Sequence, residues 1–154
     1  MSRWTRGEQV IESMLSAGEI DTLDKAASDG APVLEQARRR LQVSSAAMAI
    51  DTDGAYTNAY DAARLAATAL LTQQGLRPTI TGGHRAVEEA LLAQFGDGFS
   101  RFKVLRRRRH ELDYPDVGYS EASIAEAQEA VDTATLFVET AAKILPQLGF
   151  FQDQ

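Results

Sequence analysis

The sequence predicts an all-α protein, and its composition and its apolar spacing both support this fold class. Alanine occupies 25 of the 154 positions, whereas aromatic residues make up only 7%. Alanine has the highest helix propensity, and strands are usually rich in β-branched and aromatic residues. Apolar residues also recur every three or four positions along much of the chain, as on one face of a helix. We therefore expect an up-and-down bundle of four to five main helices plus an N-terminal helix.

Two helices are predicted in the first third of the chain. The first covers residues 5–17, where Thr5 and Glu8 have the spacing of a capping box. The second runs from residue 32 to about residue 50, and Pro32 fits its first turn because a proline there removes no intrahelical hydrogen bond.

The middle of the chain predicts a long helix and a short one. A tight turn at residues 51–54 precedes a helix that continues to residue 75. Residues 76–83 predict a loop, since they contain Pro78 and two adjacent glycines. A short amphipathic helix follows at residues 84–95.

The last third predicts two more helices. The first runs from residue 99 to about residue 112, and residues 114–118 then form a turn around a proline. Ser120 is the expected cap of a final long helix that ends near residue 145.

We expect one domain over residues 1–154, with a core at about 32–146 and an N-terminal helical extension at 1–31. The absence of cysteine excludes a disulfide scaffold, thiolate metal sites and a cysteine nucleophile. No stretch has the apolar character of a signal peptide or a membrane span, so we expect a cytoplasmic protein with no membrane association.

Charge is unevenly distributed along the chain. Residues 101–110 hold six of the sixteen basic residues and no acidic residue. The rest of the chain therefore carries ten basic and all 22 acidic residues. Such a protein is repelled by nucleic acid on average, yet a concentrated basic segment can bind phosphate locally. Successive helical residues turn by about 100°, so at least one of the four arginines at 106–109 must face the bundle or a partner.

Several segments, in this order, resemble the HEPN domains, which are named for higher eukaryote and prokaryote nucleotide binding. They are residues 37–41 (ARRRL), residues 59–71 (AYDAARLAATALL), Gly82-Gly83-His84, residues 95–99 (FGDGF), residues 109–114 (RHELDY) and residues 134–138 (ATLFV). The resemblance extends from about residue 32 to residue 145. It implies an all-α bundle that forms a homodimer.

In HEPN ribonucleases, the resemblance implies RNA cleavage without metal or cofactor, by an arginine and a histidine separated by four to six residues. Histidine can move protons near neutral pH, and arginine stabilises the phosphate charge. Here the residues at those distances before His110 are Leu105, Val104 and Lys103, so the family spacing is not met. Arg106 and Arg107 precede His110 by four and three residues, which places either on the same helical face.

These considerations give a set of candidate site residues. The candidate catalytic residues are Arg106, Arg107 and His110, and the candidate RNA- or nucleotide-binding residues are Lys103, Arg108, Arg109, Tyr114, Tyr60 and Arg64. No metal site is expected, because the acidic residues of the last predicted helix lack a ligand spacing that includes histidine.

The resemblance also implies a partner enzyme that modifies a tyrosine shortly after the histidine. Toxin members of the family carry a tyrosine two residues after the histidine, which nucleotidyltransferases of the MNT type modify. Tyr114 lies four residues after His110. If Tyr114 is the counterpart of that tyrosine, Leu112 occupies the histidine position and the nuclease site is empty.

Three functional hypotheses follow. The first is a dimeric bundle of toxin–antitoxin or defence type that binds RNA, a nucleotide or an acidic partner, with little or no catalysis. The second is a metal-independent endoribonuclease with a displaced composite site at the dimer interface. The third is a helical interaction module in which the basic run is structural.

Overall fold

Residues 2–152, which the computed structural model describes, form six α-helices and one small two-stranded sheet. The helices are α1 (Glu8–Ser16), α2 (Ala31–Ala47), α3 (Thr52–Gln73), α4 (Gly83–Phe95), α5 (Phe102–Asp113) and α6 (Ile124–Ile144). Short 3₁₀ turns lie at Lys25–Ala27, Gly96–Phe99 and Leu145–Gln147. The predicted all-α fold class is therefore confirmed.

Helix α3 lies at the centre of the bundle. Thirteen of its 22 residues are buried, and seven of these are alanines that are at most 2% exposed. A helix that is apolar on nearly all sides belongs in a core, and its small side chains let neighbouring helices approach closely. Accordingly, α2, α4, α5 and α6 all contact α3.

An aromatic cluster fixes α5 against α3 and α6. Phe102 of α5 stacks on Phe137 of α6 with ring centroids 6.1 Å apart, and its ring lies 5.5 Å from that of Tyr60 of α3. Phe99, just before α5, meets Phe137 edge to face at 4.9 Å. These contacts determine which side of α5 is buried and which side faces solvent.

The N-terminal segment packs on α4. The Trp4 indole nitrogen donates a hydrogen bond to the Gln94 carbonyl oxygen at 2.9 Å, and the indole lies 5.2 Å from the Phe95 ring. Ile11 and Met14 of α1 are buried.

The predicted capping box at the start of α1 is wrong. No side chain caps this helix, which begins at Glu8 after Gly7 rather than at Thr5. Gly7 has a φ of 73°, and a Cβ there would lie 2.4 Å from the Ala93 carbonyl oxygen. A close approach to α4, which depends on tertiary packing, therefore decides where α1 starts.

Two short strands replace part of a predicted loop. Strands β1 (Ile20–Thr22) and β2 (Leu76–Pro78) pair in antiparallel orientation, with Asp21 opposite Arg77. The loop prediction for residues 76–83 is therefore wrong at its first three positions. Strands of three residues are too short to show a periodicity of two in the sequence.

Two predicted helix starts are also wrong. Ser123 rather than Ser120 caps α6, since its hydroxyl accepts from the Glu126 backbone N–H at 3.0 Å, within a capping box. The expected turn at residues 51–54 is instead the first turn of α3, which begins at Thr52. Residues 51–53 offer three capping residues in a row, and Ser120 and Ser123 are both possible caps for α6, so the sequence leaves each cap ambiguous.

Two helix ends differ from the prediction by about a turn. The 3₁₀ turn at Gly96–Phe99 delays the start of α5 to Phe102, and α2 ends at Ala47 rather than near residue 50. A single turn of 3₁₀ helix is common at helix ends and has no distinct apolar pattern.

Candidate functional site

The basic run on α5 is divided between paired and unpaired side chains. Arg106 pairs with Glu88 of α4, with Nε and Oε2 2.5 Å apart. Arg108 pairs with Glu126 of α6, with Nε and Oε1 2.6 Å apart, and also donates to the Ser120 carbonyl oxygen at 2.9 Å. These two arginines join α5 to the helices on either side of it.

Two more arginines within residues 101–110 are also paired. Arg109 pairs with Asp113 one turn later, with Nε and Oδ2 2.7 Å apart, and its guanidinium carbon lies 5.5 Å from the centre of the Tyr60 ring. Arg101 pairs with Glu129 of α6. The expectation that at least one arginine faces the bundle is therefore confirmed.

Four further side chains form a row that we call the α5 stripe: the cations Lys103 and Arg107, together with His110 and Tyr114. These residues lie four, three and four positions apart, so they share one face of the helix and its C-terminal end. Lys103, Arg107 and His110 are exposed and have no ion-pair partner within residues 2–152. Tyr114 is 67% exposed, and its ring lies 4.9 Å from the His110 ring.

The three candidate catalytic residues therefore lie in two different environments. Arg107 and His110 share the open face of α5, whereas Glu88 holds Arg106 against α4. Among the candidate binding residues, Lys103 and Tyr114 lie on the stripe, while Arg108 and Arg109 are paired within the bundle.

Tyr60 and Arg64 lie away from the stripe, on α3. Tyr60 is 0% exposed, and its hydroxyl lies 3.0 Å from Nδ1 of His84 at the start of α4. Arg64, one turn further along α3, is partly buried near Asp61. The α5 stripe and the Tyr60–His84 pair are therefore two separate polar features.

Sequence reasoning missed the pairing of His84. Burial raises the pKa of Tyr60 to about 12, whereas burial and then the neighbouring Arg64 and Arg109 lower the pKa of His84 below 6.5. Both side chains are therefore uncharged near neutral pH, and a neutral phenol bonds a neutral imidazole. The two residues are 24 positions apart and on different helices, so no local spacing signals their contact.

This pair predicts a pH-dependent stability. The unfolded chain binds a proton at His84 with the ordinary pKa of about 6.5, and the folded chain binds it less tightly. The contribution of neutral His84 to the free energy of unfolding is therefore complete above the unfolded pKa. It is lost as the pH falls from there through the lower folded pKa. We expect urea unfolding to show a smaller acid loss of stability in His84→Gln than in wild type.

The exposed histidine offers a matched control for this measurement. His110→Gln removes a histidine that has no hydrogen bond or ion pair within the described chain, so it shows the effect of losing a histidine outside the Tyr60–His84 pair. An equal acid loss in His84→Gln and His110→Gln would contradict the assignment.

Within residues 2–152, no cluster of three or more histidine, aspartate or glutamate side chains could hold a metal ion. No helix in that range combines the length and the apolar character that a bilayer crossing demands.

Comparison with known families identifies the fold. The family model described as HEPN domain matches residues 32–145, which run from the first turn of α2 to the end of α6. No curated protein and no solved structure matches the chain. The match covers well over half of the sequence and includes the α5 stripe and the Tyr60–His84 pair. The chain therefore belongs to the HEPN family.

Proposed function

We propose that this protein is a HEPN-type RNA-binding bundle, with little or no catalytic activity, that contacts RNA through the α5 stripe. The observation that carries the proposal is the row formed by Lys103, Arg107 and His110, whose side chains are exposed and have no ion-pair partner among the described residues. Lys103 and Arg107 are cations that can bind phosphate groups, and the His110 ring can donate a hydrogen bond to a phosphate oxygen. Tyr114 at the end of the row can stack on an unpaired base.

The distribution of charge supports a narrow contact. The paired arginines are neutralised by Glu88, Glu126, Asp113 and Glu129, and the rest of the chain is strongly acidic. Binding should therefore involve about two phosphates and weaken only moderately with salt, with a slope of roughly −0.7 per phosphate on single strands.

Charge reversal tests this proposal. In Lys103→Glu/Arg107→Glu, we expect the affinity for single-stranded RNA at low salt to fall by about tenfold or more, because two phosphate contacts become repulsive. Fluorescence anisotropy in EDTA measures this loss. Arg39→Glu/Arg40→Glu is the matched control, since it makes the same charge change on the exposed surface of α2. Equal losses in the two variants would contradict an RNA interface on α5, and tight binding of free nucleotides with no RNA binding would assign a nucleotide ligand instead.

A second candidate function is metal-independent RNA cleavage. Arg107 and His110 are three residues apart on the same open face, which suits an arginine that stabilises phosphate charge and a histidine that moves a proton. In this case His110→Ala should abolish the cleavage of mixed structured and single-stranded RNA in EDTA. An equal absence of cleavage in wild type and variant would rule this function out.

The proposal includes a homodimer and a partner of toxin–antitoxin or defence type. In the HEPN ribonucleases that the sequence resembles, dimerisation brings two Arg/His motifs together, so a composite site would combine Arg107 and His110 of two copies. Tyr114 is exposed at the end of α5, where an MNT-type nucleotidyltransferase could reach its hydroxyl. Sedimentation of the purified protein measures the oligomeric state directly.

A further inference from the structure

A cleft of about 360 Å³ lies between α5 and α6, beside the α5 stripe. Tyr56 of α3 and Thr133 of α6 line it, and they are only 4% and 9% exposed. Neither hydroxyl has a hydrogen-bond partner within residues 2–152. Both hydroxyls are therefore free to bond a polar group that enters the cleft.

The charged walls of this cleft neutralise one another. Arg108 pairs with Glu126 and Glu111, and Arg101 pairs with Glu129. These five residues line the cleft together with apolar side chains. The interior is therefore close to neutral and is not a site for a free phosphate.

Arg107 connects the cleft to the α5 stripe, because it belongs to both. We infer that the cleft receives one unpaired nucleobase of an RNA strand whose phosphates lie on the stripe. This inference rests on the proposed RNA-binding function, and it adds a preference for single strands over duplexes.

A nucleobase fits the chemistry of the cleft better than other occupants. Its flat faces suit the apolar walls of Leu105 and Ala130, and its edge can bond the Tyr56 and Thr133 hydroxyls. An aliphatic group would leave both hydroxyls unpaired. The volume is at the low end for small-molecule sites, which fits one ring system.

The state of Tyr56 supports this recognition. Burial, followed by the nearby charge of Glu126, raises the pKa of Tyr56 to about 12. Its hydroxyl is therefore protonated at neutral pH and can both donate and accept. Thr133 can do the same, so the pair can bond any base that presents a donor or an acceptor.

The test compares single-stranded RNA with a duplex of the same sequence. In Tyr56→Phe/Thr133→Val, we expect the affinity for the single strand to fall by about threefold to tenfold, while duplex affinity is unchanged. Both substitutions keep the side-chain shape and remove hydroxyls that bond nothing in the protein, so the fold should persist in circular dichroism. Thr135→Val on α6 is the control, since its hydroxyl bonds the Val131 carbonyl oxygen outside the cleft.

The outcomes separate this inference from the proposed function. Unchanged affinity of the double variant for single strands, or an equal loss for both RNAs, would overturn the cleft assignment and leave the stripe proposal standing. If wild type bound neither RNA, the proposed function would fail. Titration with the four nucleosides would then decide: NMR shifts at the Tyr56 ring and the Ala130 methyl group would support the cleft, and their absence would overturn it.

Discussion

Replacing Phe102 with alanine is expected to lower the free energy of unfolding by about 3–5 kcal/mol. The Phe102 ring is 0% exposed and lies between the rings of Tyr60 and Phe137, at centroid distances of 5.5 and 6.1 Å. Truncation removes both aromatic contacts and leaves a cavity that three helices would have to close. Urea unfolding followed by circular dichroism measures the loss.

A neighbouring apolar residue on the same helix provides the control. Val104 is 57% exposed, so Val104→Ala removes little buried surface and should change stability by less than about 0.5 kcal/mol. A loss below about 1 kcal/mol in Phe102→Ala would show that α5 is not anchored through this ring.

The anchoring of α5 also explains what the sequence could predict about the site. With Phe102 and Leu105 buried, helical geometry places Lys103 and Arg107 on the open face. The exposed positions of these two cations can therefore be predicted from the spacing once the apolar face is known. The sequence could not indicate which acidic residue meets each inward arginine, because Glu88 and Glu126 belong to other helices.

The fold shows the same division between local and long-range information. The alanine-rich α3 follows from composition and spacing, which act within a few turns. The β1–β2 pairing, the close contact at Gly7 and the Tyr60–His84 hydrogen bond join segments far apart in the chain. Each of these contacts depends on how the elements pack, and the sequence contains no periodic pattern that predicts them.

The second large effect is expected for Arg106→Met, which should lower the free energy of unfolding by about 2–4 kcal/mol. The Glu88 side chain is 9% exposed and pairs with Arg106, whose side chain is 31% exposed. Methionine keeps most of the apolar stem but leaves a buried carboxylate without its cation. That uncompensated charge, rather than the loss of the pair itself, accounts for the expected cost.

A double-mutant cycle identifies this cause. Glu88→Gln/Arg106→Met removes both charges, so it should recover most of the stability that Arg106→Met loses. Urea unfolding of the wild type, the two single variants and the double variant gives the coupling free energy between Glu88 and Arg106. A double variant as unstable as Arg106→Met would show that the cost comes from packing instead.

Arg107→Met is the matched comparison on the next position of the run. Arg107 has no ion-pair partner among the described residues, so its stability should change by less than about 0.5 kcal/mol while RNA affinity falls. Arg106→Met should show the reverse pattern. If both variants lost stability equally, the division of this run into structural and binding arginines would be wrong, because two adjacent arginines would then share one role despite their opposite surroundings.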